Sequence, residues 1–234
     1  MSSSHYTKFH SGRMGQHLYP TEFLIRTMLG KYPGLDFEPQ YAGRRLLDLG
    51  CGDGRNFPLF AQLELEIYGV EPDVELCRMV AERARSHDLP CTLSTGTNSR
   101  IPHDDGFFDF VVASHSLYYV DPHGSFQDNL NECARVTEDG GWLIATLPDV
   151  DNYILANAEP QSGGHFLITS DPYGLRNGTL FRAFASCEEV VREFAPWFER
   201  CSLATFADDW YGIRVSGFVL VAQRRARQSC ASNS

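Results

Sequence analysis

Leu46-Leu-Asp-Leu-Gly-Cys-Gly-Asp-Gly54 decides the fold: an apolar run of strand length passes into glycines at 50, 52 and 54. Glycine serves where the backbone must take positive φ or come close to a ligand, and a helix starting just beyond presents free N–H groups at that point. A ligand is expected over this turn. The spacing is G-x-G-x-G, whereas the dinucleotide fingerprint G-x-G-x-x-G would need glycine where Arg55 stands. A nicotinamide or flavin oxidoreductase is therefore disfavoured.

Outward from this turn, Glu66-Ile-Tyr-Gly-Val-Glu71 and Phe107-Phe-Asp-Phe-Val-Val-Ala113 are further short apolar runs, each followed by turn or helix-start residues. Helical patterns over Asn56 to Leu63, Asp73 to Ser86 and Ser125 to Val136 lie between or after them, and Cys91 to Thr95 and Gly141 to Leu147 add two more strands. The β-α-β-α alternation predicts an α/β, Rossmann-like, doubly wound and mainly parallel sheet of seven strands. A helix near Cys187 to Phe194 and strands near Cys201 to Phe206 and Ile213 to Ala222 complete it. From about 148 to 184 the pattern breaks into turn residues around short apolar pieces, which predicts an inserted lid or antiparallel segment. Residues 1–40 read as an N-terminal arm and cap helix, 41–222 as the main domain, and 223–234 as a disordered tail.

The chain has 234 residues, 43% apolar and 21% charged, the balance of one globular domain. Its net charge of -10 opposes attraction to nucleic acid or anionic membranes. Seven scattered cysteines without metal spacing read as reduced thiols, and no metal site is expected. The first ten residues lack the apolar core of a signal peptide, and no run approaches the roughly 18 apolar residues of a membrane span. A soluble cytoplasmic protein, monomer or homodimer, is expected.

Asp48 on the first strand and Glu71 at the end of the second put carboxylates beside the turn; the two oxygens of Glu71 suit a vicinal diol such as a ribose. With these acids, Leu47-Asp-Leu-Gly-Cys-Gly-Asp-Gly54 resembles the first motif of the class I S-adenosylmethionine-dependent methyltransferases, small-molecule type, and the likeness runs over about residues 43 to 147. The resemblance implies that Gly50, Gly52 and their neighbour Cys51 line the methionine part of S-adenosylmethionine, with Asp48 near its ammonium, and that Ser114 also contacts the cofactor. It also implies Glu71 at the ribose and Pro72 or Asp73 beside the adenine. The family's G-D-A-x-x-L-P motif is represented by Gly96-Thr-Asn-Ser-Arg-Ile-Pro102, which lacks the acid and leaves Thr97 or Asn98 to accept from the adenine amine.

Ser114-His-Ser-Leu-Tyr-Tyr-Val120 follows the fourth strand, where such enzymes place groups near the transferred methyl. His115 is the candidate base, since an ordinary imidazole titrates near pH 6.5. Displacement on an activated sulfonium also needs only alignment, so catalysis by shape alone stays open. Tyr118, preferred over Tyr119, is expected to shape the acceptor pocket, with Arg176 and Arg182 binding a carboxylate or phosphate of the acceptor. Tyr19 is the expected cofactor-facing residue of an N-terminal lid. The function these readings imply is methyl transfer from S-adenosylmethionine to an oxygen or nitrogen of a small molecule, releasing S-adenosylhomocysteine. The alternative is a methyltransferase-like binding or regulatory domain without turnover.

Overall fold

The structure, a computed structural model, describes residues 3–12, 14 and 18–227. Strands β1 (Arg45–Leu49), β2 (Glu66–Glu71), β3 (Cys91–Thr95), β4 (Phe108–Ala113), β6 (Thr137–Pro148), β10 (Phe198–Trp210) and β11 (Ile213–Arg224) form one sheet in the order β10-β11-β6-β4-β1-β2-β3. β1, β2, β3, β4 and β6 are parallel; β11 pairs antiparallel with β6 and β10 antiparallel with β11. The expected seven-stranded, mainly parallel Rossmann-like sheet is present.

Alternation along β1 builds both layers. Successive side chains of a strand point to opposite faces. Leu47 and Leu49 therefore join the core with Val111, Phe126, Leu130 and Phe194, while Leu46 joins Phe57, Phe60, Leu76 and Val80 on the other side. The first face is covered by α5 (Phe126–Val136) and α6 (Cys187–Phe194), the second by α2 (Glu22–Leu29), α3 (Phe57–Gln62) and α4 (Val74–Ser86). Full burial of each such Leu or Phe contributes about 1.5–3 kcal/mol. The helices start where their caps sit: Asp73 accepts from Leu76 N, Ser125 and Asp128 form a capping box, and Ser186 accepts from Glu189 N. No helix among the described residues is long and apolar enough to cross a membrane.

The insertion forms a separate four-stranded antiparallel sheet, β5-β9-β8-β7, from β5 (Tyr119–Val120), β7 (Glu159–Pro160), β8 (His165–Leu167) and β9 (Leu180–Arg182). It recruits β5 from the loop after β4, outside the predicted 148–184 boundaries, because Tyr119 pairs with Phe181 and Val120 with Leu180. A two-residue strand carries no periodicity from which to predict it. The tail also differs from expectation: Gln223 and Arg224 end β11, Arg224 Nε donates to Ala134 O at 2.8 Å and Arg227 N to Asp139 at 2.9 Å. Order thus extends to Arg227, and residues 228–234 lie outside the described part.

Arg182, expected in the acceptor pocket, is instead a buried tie between the insertion and α6. It is 3% exposed, pairs with Glu189 at 2.8 Å and Glu193 at 3.3 Å, and its guanidinium lies 4.0 Å from the Phe184 ring. Its position on β9 points it into the body rather than into the cleft. Arg182→Met should lower stability by about 2–3 kcal/mol, since removing one partner strands the other charges. A urea midpoint equal to the parent's would refute that.

Candidate functional site

β1 pairs with β2 on one side and β4 on the other, so the sheet's topological switch lies between β1 and β4. In open α/β sheets the crevice beyond the strand carboxyl ends at this point is where ligands bind. The loops after β1, β2, β3 and β4 here surround a cleft of about 1400 Å³, closed on one side by the small sheet and on another by the N-terminal arm.

The glycine turn packs too tightly for any side chain. Gly50 has φ 69°, and a Cβ there would stand 2.5 Å from Ser116 Cβ; the Ser116 hydroxyl donates to Leu49 O beneath it. Gly52 has φ 55°, and its N–H donates to Glu71 Oε2 at 3.1 Å. The His10 ring, carried by α1 (Ser3–Ser11), lies over Gly52, and Thr7 Oγ1 donates to Asp73 Oδ2 at 2.6 Å. The arm is therefore docked onto the start of α4, across the turn.

Two carboxylates are buried here. Glu71 lines the cleft at 3% exposure; burial pushes its pKa up to about 7, against the Gly52 N–H that favours the charged form. Asp48 is fully buried beneath the turn rather than in the cleft wall. Burial, together with the charges of Glu71 and Asp53, raises it to about 7, opposed by Asn56 alongside. Neither Asp48 oxygen has a hydrogen bond of normal geometry among the described residues. Such an orphaned pair of acceptors calls for a donor or cation from outside.

Further round the cleft, Cys51, Pro72, Thr97, Asn98 and Ser114 all line it. Asn98 has spent its amide: Nδ2 donates to Ser116 O at 2.7 Å and Tyr119 O at 3.0 Å, leaving only Oδ1 for a ligand. Thr97 and Ser99 hydroxyls meet Asp121 Oδ2 at 3.3 and 2.5 Å. Asp121 thus returns an acid to the neighbourhood of a motif whose own acid is missing.

His115, two residues after β4, is in the left-handed region, φ 57°, a conformation that a non-glycine residue holds only when surroundings enforce it. Its N–H donates to Thr146 Oγ1 at 2.8 Å, and Nδ1 stands 3.2 Å from the same hydroxyl. The ring opens onto the cleft, yet the crowding walls and the cations of Arg176 and Arg55 push its pKa down to about 4. It is a neutral group at pH 7, and a weak base.

Tyr119, not Tyr118, lines the cleft; Tyr118 is 9% exposed and packs with Ile154, Leu155 and Phe181 in the core of the small sheet. The pairing of β5 with β9 decides which of the neighbouring rings turns inward. Tyr19 is 67% exposed and outside the lining, where its carbonyl accepts from Arg55 Nε at 2.8 Å; Phe9, His10 and Thr21 take the place expected for it. Arg176 lines the cleft. Arg55 and Asp121 were missed, although Arg55 follows the last glycine of the turn directly and so had to lie at its rim.

A family model described as a methyltransferase domain matches residues 47–145. Residues 47–145 carry a methyltransferase domain. An uncharacterized methyltransferase of Mycobacterium tuberculosis is 34% identical over 115 residues, 48% of this chain and 44% of the relative. A ubiquinone biosynthesis O-methyltransferase of Nitrobacter winogradskyi is 32% identical over 109 residues, 45% of this chain and 39% of the relative. The chain thus spans under half the length of these curated relatives. A SAM-dependent methyltransferase structure from Methanosarcina mazei superposes with TM-score 0.65 at 22% identity, covering 84% of this chain and 99% of that one. That likeness is one of fold.

The raised acids set a pH dependence. Asp48 and Glu71 bind protons more tightly folded than unfolded, so their contribution to stability falls as pH rises from about 4 to about 7. His115 acts in the opposite sense, costing stability as pH drops below about 6.5. Asp48→Asn should therefore flatten the loss of stability between pH 5 and pH 8. Identical pH profiles of urea midpoint for parent and variant would contradict it.

Proposed function

We propose that the protein transfers a methyl group from S-adenosylmethionine to an oxygen or nitrogen of a small molecule. The observation that carries this reading is Glu71: a carboxylate at the end of β2, one oxygen held by Gly52 N–H, leaves Oε1 to accept from a ribose diol inside the cleft. The donor set fits the cofactor elsewhere too. The Asp48 carboxylate, buried beneath the turn and outside the cleft lining, would favour a group bearing an ammonium through its charge rather than by contact. Thr97, Asn98 and Asp121 supply acceptors for an adenine amine. The related O-methyltransferase named for ubiquinone biosynthesis supports an oxygen of a small molecule as acceptor.

The cofactor when bound supplies a sulfonium methyl already activated for displacement. What remains for this chain is alignment and exclusion of water, and alignment alone is worth up to about 7–11 kcal/mol. Phe9, His10 and Thr21 cover the turn from the arm; the small sheet, through Leu167, Tyr119 and Leu180, walls the acceptor side. His115 contributes as a hydrogen-bonding contact fixed by Thr146, and the cleft walls with the cations of Arg176 and Arg55 lower its pKa and so weaken it as a base.

Calorimetric titration with S-adenosylhomocysteine should give micromolar binding, weakened at least about tenfold in Glu71→Ala, the scale of one hydrogen-bonded contact. No binding by the folded parent would sink the proposal; binding with no transfer to any acceptor would favour the binding-domain alternative. In a turnover assay, kcat from pH 5.5 to 8 should show no step near 6.5 that His115→Gln removes. Such a step would restore His115 as the general base.

A further inference from the structure

Among the acids that line the cleft, Arg55 and Arg176 are two cations, both near enough to His115 to disfavour a charge on it. In a chain of net charge -10 these two cations are a local exception. Arg176 is rigidly set: Nε donates to Tyr119 Oη and Nη1 to Asp171 Oδ2, each at 3.1 Å. The Asp171 side chain is fully buried and also accepts the backbone N–H groups of Tyr173, Leu175 and Arg176. Nη2 of Arg176 has no partner among the described residues. Arg55 is anchored through Nε on Tyr19 O, which leaves both its terminal nitrogens unengaged among those residues. Guanidinium donors preorganised in this way match a planar anion. The wall beside them, Leu167, Leu175 and Leu180 with the Tyr119 ring, is apolar.

We propose, resting on the methyl-transfer reading above, that the acceptor is a small carboxylate on an apolar body, gripped by Arg176 and Arg55, and that its carboxylate oxygen receives the methyl. A lone pair of that oxygen forms the new O–C bond as the methyl C–S bond breaks, its electron pair going to sulfur. The products are a methyl ester and S-adenosylhomocysteine; sulfonium charge and carboxylate charge cancel, and no proton is released. The chemistry suits the surroundings. A phenol or ammonium acceptor has to lose a proton, and the charged groups bearing on His115 are cations, whereas a carboxylate arrives ionised at pH 7. Apolar walls then bind the rest of the molecule.

The test uses the full chain saturated with S-adenosylhomocysteine and the probes benzoate, 4-phenylbutyrate and octanoate, each paired with its primary amide. At least one carboxylate should bind at least about tenfold tighter than its amide, and Arg176→Gln or Arg55→Gln should erase the difference. Two variants guard against misfolding of one, and retained S-adenosylhomocysteine binding certifies each. With S-adenosylmethionine, a bound carboxylate should yield a product cleaved by mild alkali, with no proton released per turnover in a weakly buffered assay. Equal binding of acid and amide, binding of none of the acids, an unchanged preference in both variants, or one proton per methyl overturns the inference. Failure of S-adenosylhomocysteine itself to bind overturns the underlying reading instead.

Discussion

The hydrogen bond from Gly52 N–H to Glu71 Oε2 joins the loop after β1 to the end of β2, and the rest of the site is arranged around it. It exists because Gly52 takes a positive φ, which turns its N–H toward β2 instead of along the chain. The companion constraint is Gly50, where the Ser116 side chain occupies the space of a Cβ and so locks the loop after β4 against the loop after β1. Two glycines thus bring three loops together at the switch point. Residues distant in sequence, Gly52 with Glu71 and Gly50 with Ser116, become neighbours as a result.

Burial there has a cost that the fold tolerates. Asp48 and Glu71 are held where their charged forms are poorly solvated, and His115 is held in a backbone conformation that it would not choose. Neither feature improves packing. Each makes physical sense for a cleft whose partners arrive from solution: a cationic ligand relieves the acids, and a fixed imidazole is ready for contact without reordering. The capped helices and the two leucine- and phenylalanine-rich cores supply the stability that allows this.

The insertion gives the cleft its second chemical character. Its small sheet has its own core around Tyr118, Ile154, Ile168 and Phe181, and Arg182 ties it to α6. With that frame in place, Arg176 is presented to the cleft, held by Tyr119 and Asp171. The charged groups of the cleft come from two parts of the fold: the loop after β1 and the end of β2 bring Arg55 and Glu71, and the segment between β8 and β9 brings Arg176.

The sequence by itself determined the sheet, its mostly parallel order and the acid pair, because strand-length apolar runs, helix caps and positive-φ glycines are local signals read within a few residues. Leu46 and Leu47 already imply two covered faces, and the five-residue spacing of alternating glycines implies a ligand turn. Only tertiary structure decided which of Tyr118 and Tyr119 enters the cleft, that Arg176 faces it while Arg182 is buried, and that Phe9, His10 and Thr21 rather than Tyr19 cover the turn. Neighbouring or like residues carry the same chemistry in a sequence. Which of them faces the ligand depends on cross-strand pairings such as Tyr119 with Phe181, and on ion pairs such as Arg182 with Glu189, formed between segments that the chain brings together only when folded.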